Sequence, residues 1–297
     1  MNVVLGFGLL CFLCLSGCNV ERDFQTYTPT KSTSEHHAYI VGVHPYLNSK
    51  KMFLTYRPLL DYLEKNIPNS TFVLETSKDY SHYEQKLYAK AFDFSLPNPY
   101  HTVNSLQHGY KVIAKMKPDS MFRGILVARK DSNIRNIQDL KGKKVSFPAA
   151  TALAATMMPL YFLKSKGLDI DKDIEKRYVG SQFSSIMNAY SGDTFIAGTW
   201  PTAWEDWGKA YPEEESEMEI VWETEPLVNN GFVASSSLPE PLVDAVAHLL
   251  TTLQEHQEGV EIIHNSGFAG FEPANNHTYD KVDSFLKMYD TSIGLPQ

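Results

Sequence analysis

The sequence predicts an α/β protein of two lobes, and three observations carry that reading. Short apolar runs fit for buried strands alternate with stretches of helical periodicity along most of the chain. The alternation comes as one set of βα units, then a second set, then terminal helices. Residues 38–297, which carry it, are enough for two sizeable cores.

Ahead of that body, residues 3–15 read VVLGFGLLCFLCL, an apolar run of the length of a signal-peptide core and too short to span a bilayer. Residues 1–17 are therefore expected to be a signal peptide, although no Lys or Arg precedes the run. Leu15-Ser16-Gly17-Cys18 resembles the lipobox of bacterial lipoproteins, which implies acylation of Cys18 as the mature N-terminus. The only three cysteines are Cys11, Cys14 and Cys18, so cleavage there leaves no disulfide and no cysteine metal site. Residues 18–37 are polar and nearly aperiodic, the pattern of a flexible tether, with His36 and His37 expected to lie in it and bind nothing. The formal charge of -8 argues against a nucleic-acid partner but not against a small anion, because a site on an acidic surface can be dipolar.

In chain order, residues 39–43 predict a buried strand, followed by His44-Pro45-Tyr46 and by Asn48 or Ser49 as a helix cap. Phe53, Tyr56, Leu60, Leu63 and Ile67 mark one face of the next helix, which Pro58 must start or kink. Strands are expected at 71–75 and 93–96 with a helix at 80–90 between them. Pro97-Asn98-Pro99-Tyr100-His101-Thr102 is a rigid turn into a further helix, and 110–115 and 122–128 read as two more strands.

The chain is organised around residues 137–167, IQDLKGKKVSFPAATALAATMMPLYFLKSKG. A polar turn, a strand at 144–147 and a tight loop lead into a long apolar helix closed by Gly167. Small side chains at Ala149, Ala150, Thr151 and Ala152 would let an oxyanion reach the free N–H groups of the helix's first turn, with the Thr151 hydroxyl as a further donor. The same pattern also fits a plain βα turn that binds nothing. Beyond it come a strand at 177–179, Gly180-Ser181-Gln182 ahead of a helix, a strand at 194–198, and a helix carrying Trp200, Trp204 and Trp207, of which Trp200 lies nearest the strand end. Glu213-Glu214-Glu215 reads as a solvated turn, 218–222 and 232–234 as strands with Asn229-Asn230 between them, and the chain from Pro241 onward as helices.

In open parallel sheets ligands gather at the carboxyl ends of the strands. The residues there are neutral donors, aromatics and helix starts, with no nucleophile, base and orienter together, so no catalytic residue is assigned. His44 and His101 flank the same region without a carboxylate cluster, so neither a metal nor a cofactor is expected.

The segments VGVHPY, RPLLDYL, DFSLPNPYHT, IQDLKGKKVSFPAATALAA and LVNNGFVASSSLP together resemble the phosphate-, phosphite- and phosphonate-binding receptors of ABC import systems, the PhnD-like periplasmic proteins. The resemblance covers nearly the whole body. It implies a two-lobed periplasmic-binding-protein fold of type II, the Venus-flytrap form, with two hinge crossings, near 128–131 and near 225–230. Lobe 1 would then be 38–128 with 226–297, and lobe 2 would be 129–225. Tyr46 and Tyr100 would face the ligand from lobe 1. From lobe 2, Ala150, Thr151 and Ala152, with backbone N–H groups as far as Ala154, would hold the oxyanion. Gln182 stands where the family often has histidine, and Asn230 where it often has aspartate; Ser184 and Trp200 complete the expected set. Ala150-Thr151-Ala152 replaces the family's usual Ser-Thr-Ser, and amides replace acidic groups, which favours a simple oxyanion or a neutral-tailed ligand.

The resemblance implies a lipid-anchored, non-enzymatic receptor that captures such an anion and passes it to an ABC permease, attached to the membrane through its N-terminal lipid. A ligand sensor docking on a membrane signalling protein would use the same cleft, and an enzyme on the same fold is the third reading.

Overall fold

The computed structural model describes residues 36–266 and 268–296. The expected signal peptide, Cys18 and most of the expected tether lie outside the described residues. The tether ends sooner than expected: His37 opens the first strand opposite Ser70, and His36 Nε2 lies 2.6 Å from Thr71 Oγ1. Strand pairing uses the backbone, so a polar residue extends an edge as readily as an apolar one.

Three βα units build the first part: β1 (His37–Val43), α1 (Ser49–Asn66), β2 (Ser70–Glu75), α2 (Tyr80–Tyr88), β3 (Phe94–Leu96) and α3 (Pro99–Leu106), followed by β4 (Tyr110–Met116). The helix starts are locally encoded. Asn48, Asp79 and Asn98 each cap a helix through the side-chain oxygen, and Pro99 takes a first-turn position, where a missing N–H costs nothing. α1 buries Tyr56, Leu60 and Leu63 as its spacing predicts, whereas Phe53 stands 53% exposed.

The second part holds β5 (Ile125–Arg129), β6 (Lys143–Phe147), α4 (Met158–Ser165), β7 (Ile174–Tyr178), α5 (Gln182–Tyr190), β8 (Ile196–Thr199), α6 (Pro201–Ala210), α7 (Pro212–Ser216) and β9 (Met218–Glu223). The chain then returns through β10 (Gly231–Ser235), α8 (Glu240–Thr251), α9 (Gln257–Ser266), β11 (Phe271–Glu272) and α10 (Asp280–Ser292).

These strands form two sheets, ordered β11-β4-β10-β3-β1-β2 and β7-β6-β8-β5-β9. Neither is purely parallel. β1 pairs in parallel with β2 and β3, and β6 with β7 and β8, but β10 and β5 run antiparallel to their neighbours. Each of these two strands is the first after the chain changes sheet. It starts at the cleft and runs away from it, while its neighbours run toward it.

The changes of sheet fall at residues 117–124 and 224–230. The first comes earlier than the expected 128–131, because β5 is a central strand of the second sheet between β8 and β9. An apolar run such as ILVA fits the middle of either sheet, so its composition does not reveal which one it joins. The two connections are joined to each other: Gly124 N–H donates to Thr224 Oγ1 at 2.9 Å, Thr224 N–H to the Gly124 carbonyl at 2.9 Å, and Leu227 N–H to the Phe122 carbonyl at 2.9 Å.

Candidate functional site

At the carboxyl ends of β1, β3, β6 and β8, between the two sheets, a small buried cavity is lined by His44, Tyr80, Asn98, Phe122, Ala152, Leu153, Ala154, Ala155, Gln182, Trp200 and Asn230. Its volume is ≈ 10 Å³, about the space of one ordered water.

The loop after β6 enters a π-helical turn, Leu153–Met157, that runs directly into α4. Pro159 explains the widened turn. It has no N–H for the Ala155 carbonyl, and its ring would collide with that carbonyl in a regular helix. Glycines make room for the displaced backbone: a Cβ on Gly124 would lie 2.5 Å from the Ala154 carbonyl oxygen, and one on Gly198 would overlap that of Ala155. The N–H groups of Leu153, Ala154 and Ala155 thus open a helix that supplies them no acceptor, and all three residues line the cavity.

Two buried side chains at the cavity carry polar atoms without a partner. Trp200 is 3% exposed and its Nε1–H has no acceptor; Asn230 is 1% exposed and its Oδ1 has no donor, while its Nδ2 contacts Met116 Sδ at 3.6 Å. Trp200 is held edge-on by Tyr46, with centroids 5.7 Å apart, and tilted against Phe122 at 5.9 Å. Neither a carboxylate nor a cation lines the cavity.

His44 is set by its backbone partner. Its Nδ1 lies 2.9 Å from the Leu96 carbonyl, which can only accept, so Nδ1 carries the proton and Nε2 is a free lone pair in the neutral ring. Burial keeps it neutral, lowering the pKa to about 3, with the Leu96 carbonyl opposing and His101 adding to the effect. Burial likewise raises the Tyr80 phenol against the hydrogen bond it shares with Gln182, so Tyr80 stays an O–H.

Of the expected site residues, the structure brings Ala152, Gln182, Trp200 and Asn230 to the cavity wall. Thr151 lies outside. Its carbonyl accepts from Asn98 Nδ2 at 2.9 Å and its hydroxyl acts on the Glu84 carboxylate, lowering its pKa, while the π turn moves the first free N–H groups on to 153–155. Ala150 stays in the half-buried loop before it. Tyr46 supports Trp200 from behind with its hydroxyl 2.9 Å from that of Tyr56. Tyr100 packs edge-on against His101 at 5.1 Å, and Ser184 is engaged with Ser181 at the start of α5.

Five wall residues fall outside the expected set and its N–H groups as far as Ala154: His44, Tyr80, Asn98, Phe122 and Ala155. Asn98 was legible as a cap in the NPY turn. Tyr80 follows β2, whose carboxyl end points the same way as that of β1.

Several contacts hold the two halves together around the cavity. Besides Asn98–Thr151, Lys51 Nζ lies 3.5 Å from Asp206 Oδ1, and Tyr80 faces Gln182 across the cavity. Burial alone would raise Glu84, but the hydrogen bonds from His101, 2.7 Å away, and from Thr151 bring it below the ordinary carboxylate range. Among the described residues no group of three or more His, Cys, Asp or Glu could hold a metal ion, and no helix is long and apolar enough to cross a membrane.

A family model for the ABC-transporter phosphonate periplasmic substrate-binding protein matches residues 41–279. A relative from Prochlorococcus marinus (strain MIT 9301), named as an ABC transporter phosphite binding protein, is 30% identical over 136 residues, which is 43% of this chain and 46% of the relative's own length. Among solved structures, that of PhnD1 from the same strain in complex with methylphosphonate matches with a TM-score of 0.77 at 20% identity, covering 85% of this chain and 98% of the other. A binding protein component of an ABC phosphonate transporter from Pseudomonas aeruginosa gives a TM-score of 0.80 at 12% identity, covering 87% and 88%. The two sheets with their paired connections are thus the two-lobed, type II periplasmic-binding fold, and the chain belongs to the phosphonate-binding periplasmic substrate-binding proteins of ABC transporters.

Proposed function

We propose that the interlobe cavity captures a small phosphorus oxyanion, of the phosphate, phosphite or phosphonate class, for hand-over to an ABC permease. The protein binds and does no chemistry on its ligand. In this reading it stays at the membrane through a lipid on Cys18, the lobes are built on the two sheets, and residues 117–124 and 224–230 are the hinge.

The observation that carries the reading is the Trp200 Nε1–H, a buried donor with no acceptor, set beside the open N–H groups of Leu153, Ala154 and Ala155. An unmade buried hydrogen bond costs about 1–3 kcal/mol, so a ligand oxygen arriving there is favoured. Desolvated donors and a helix start suit an anion without any lysine or arginine. The space as it stands admits about one water, so the lobes must part around any such anion, and a compact one needs the least of that movement.

The test is calorimetry of the purified protein against phosphate, phosphite, methylphosphonate and sulfate, repeated with Trp200→Phe. At least one phosphorus anion is expected to bind, and Trp200→Phe to weaken it roughly tenfold to a hundredfold by loss of one desolvated donor. Silence from every phosphorus anion defeats the reading. Intact-mass analysis of the protein extracted from membranes should show acyl chains on Cys18; an unmodified cysteine there would remove the anchor.

A further inference from the structure

The cavity offers acceptors as well as donors, and a fully deprotonated anion has nothing to give an acceptor. The Nδ1–H of His44 is committed to the Leu96 carbonyl at 2.9 Å, which leaves Nε2 as a lone pair on a ring that is 3% exposed and lines the cavity. Asn230 Oδ1 is a second buried acceptor without a donor on the same wall. Both would face an oxyanion as like partial charges unless one ligand oxygen carries a hydrogen.

We propose that the cavity selects the protonated monoanion of a phosphorus oxyacid, with His44 Nε2 accepting the hydrogen bond from the ligand's P–OH group while Trp200 Nε1–H and the π-turn N–H groups hold its unprotonated oxygens. The inference rests on the oxyanion reading of this cavity and deepens it by naming the ionisation state that is bound. No bond is made or broken; the ligand's own proton stays on its oxygen.

The groups packed about His44 leave the ring no counter-charge that would favour imidazolium. Tyr46 stacks on it at 5.0 Å from its own loop, Tyr80 and Tyr83 of α2 stand at 6.1 and 6.4 Å, and His101 of α3 acts on it as a like charge. The near carboxylate, Glu84, is already bonded to His101 at 2.7 Å.

The experiment compares methylphosphonate with methanesulfonate, which has nearly the same shape and no proton to donate near neutral pH. Wild-type protein is expected to bind methylphosphonate at least tenfold more tightly. Its affinity should fall about tenfold per pH unit above the ligand's second ionisation, as the monoanion is depleted. His44→Leu should narrow the gap by weakening methylphosphonate and not methanesulfonate. His44→Gln, which can present an amide oxygen near the Nε2 position, should restore part of it.

Because either variant can fold poorly, the wild-type complex supplies an independent readout: the ¹⁵N resonances of the His44 ring should remain those of the Nδ1–H neutral tautomer with methylphosphonate bound. An imidazolium signature in the complex, equal binding of methanesulfonate, or affinity rising through the ligand's second ionisation overturns the inference and leaves the oxyanion reading standing. Failure of every anion to bind overturns both.

Discussion

At the scale of single residues, the site is made by atoms whose partners are missing or already spent. Trp200 Nε1 and Asn230 Oδ1 are buried and unpartnered at the cavity, while Thr151, whose hydroxyl the sequence offered as the obvious donor, does not line it. Residue type announces what a side chain can do; only tertiary neighbours decide whether the capacity is free. His44 shows the same point with an acid–base consequence. Its unfolded imidazole gains a proton below pH of about 6.5, but the buried ring resists down to about 3. Between those values the unfolded chain binds the extra proton, so stability falls as pH is lowered through the window, by up to about 1.4 kcal/mol per pH unit from this group. Chemical denaturation from pH 7 to pH 4 should show a shallower loss in His44→Gln than in wild type; parallel curves would mean that the ring is not buried neutral.

At the scale of elements, the order of strands and helices was readable from apolar periodicity and caps, and Asn48, Asn98 and Gly167 punctuate the chain where their chemistry suggests. The strand directions were not. An apolar run that begins at the cleft looks the same as one that ends there, so β5 and β10 carry no mark of running antiparallel in their own residues. The π turn was also missed, although Pro159 within the expected helix was its visible signal. That turn depends on two positions without a side chain, Gly124 in the first connection and Gly198 in β8. Gly198→Ala would drive a methyl into the Ala155 carbonyl and Phe147, pushing 153–155 toward the cavity. The expected outcome is a folded protein destabilised by about 1–3 kcal/mol, the range of overpacking, whose oxyanion affinity drops by more than the stability loss alone would produce. Calorimetry beside a thermal melt separates the two, and unchanged affinity would show that the turn's position does not matter.

At the scale of the whole molecule, the cavity exists because the halves meet, and few bonds hold them. Asn98 has two tasks: Oδ1 caps α3 through His101 N–H at 3.1 Å, and Nδ2 reaches across to the Thr151 carbonyl. Asn98→Asp preserves the cap and sets a carboxylate against that carbonyl. With about 1 kcal/mol of hydrogen bond replaced by repulsion, the ligand-free protein should populate an open form, seen as a larger radius of gyration in solution scattering, with helix content unchanged and ligand affinity reduced roughly five- to tenfold. An unaltered radius and affinity would show that this contact does not govern closure. Such a bond lay beyond the reach of the sequence, since its partners are 53 residues apart, one in the loop after β3 and the other in the loop after β6.

The two connections between the sheets are hydrogen-bonded to one another through Gly124, Thr224, Phe122 and Leu227, so they bend as one ribbon. Phe122 sits within the first connection and Asn230 ends the second, and both are also walls of the cavity. If these connections are the proposed hinge, the pivot and the floor of the pocket are the same piece of backbone. On that reading a ligand pressing on the floor would feel the rotation directly, like a finger on the knuckle of a hinge rather than on the edge of the door, and would need no relay through either core to report that the clamp had shut.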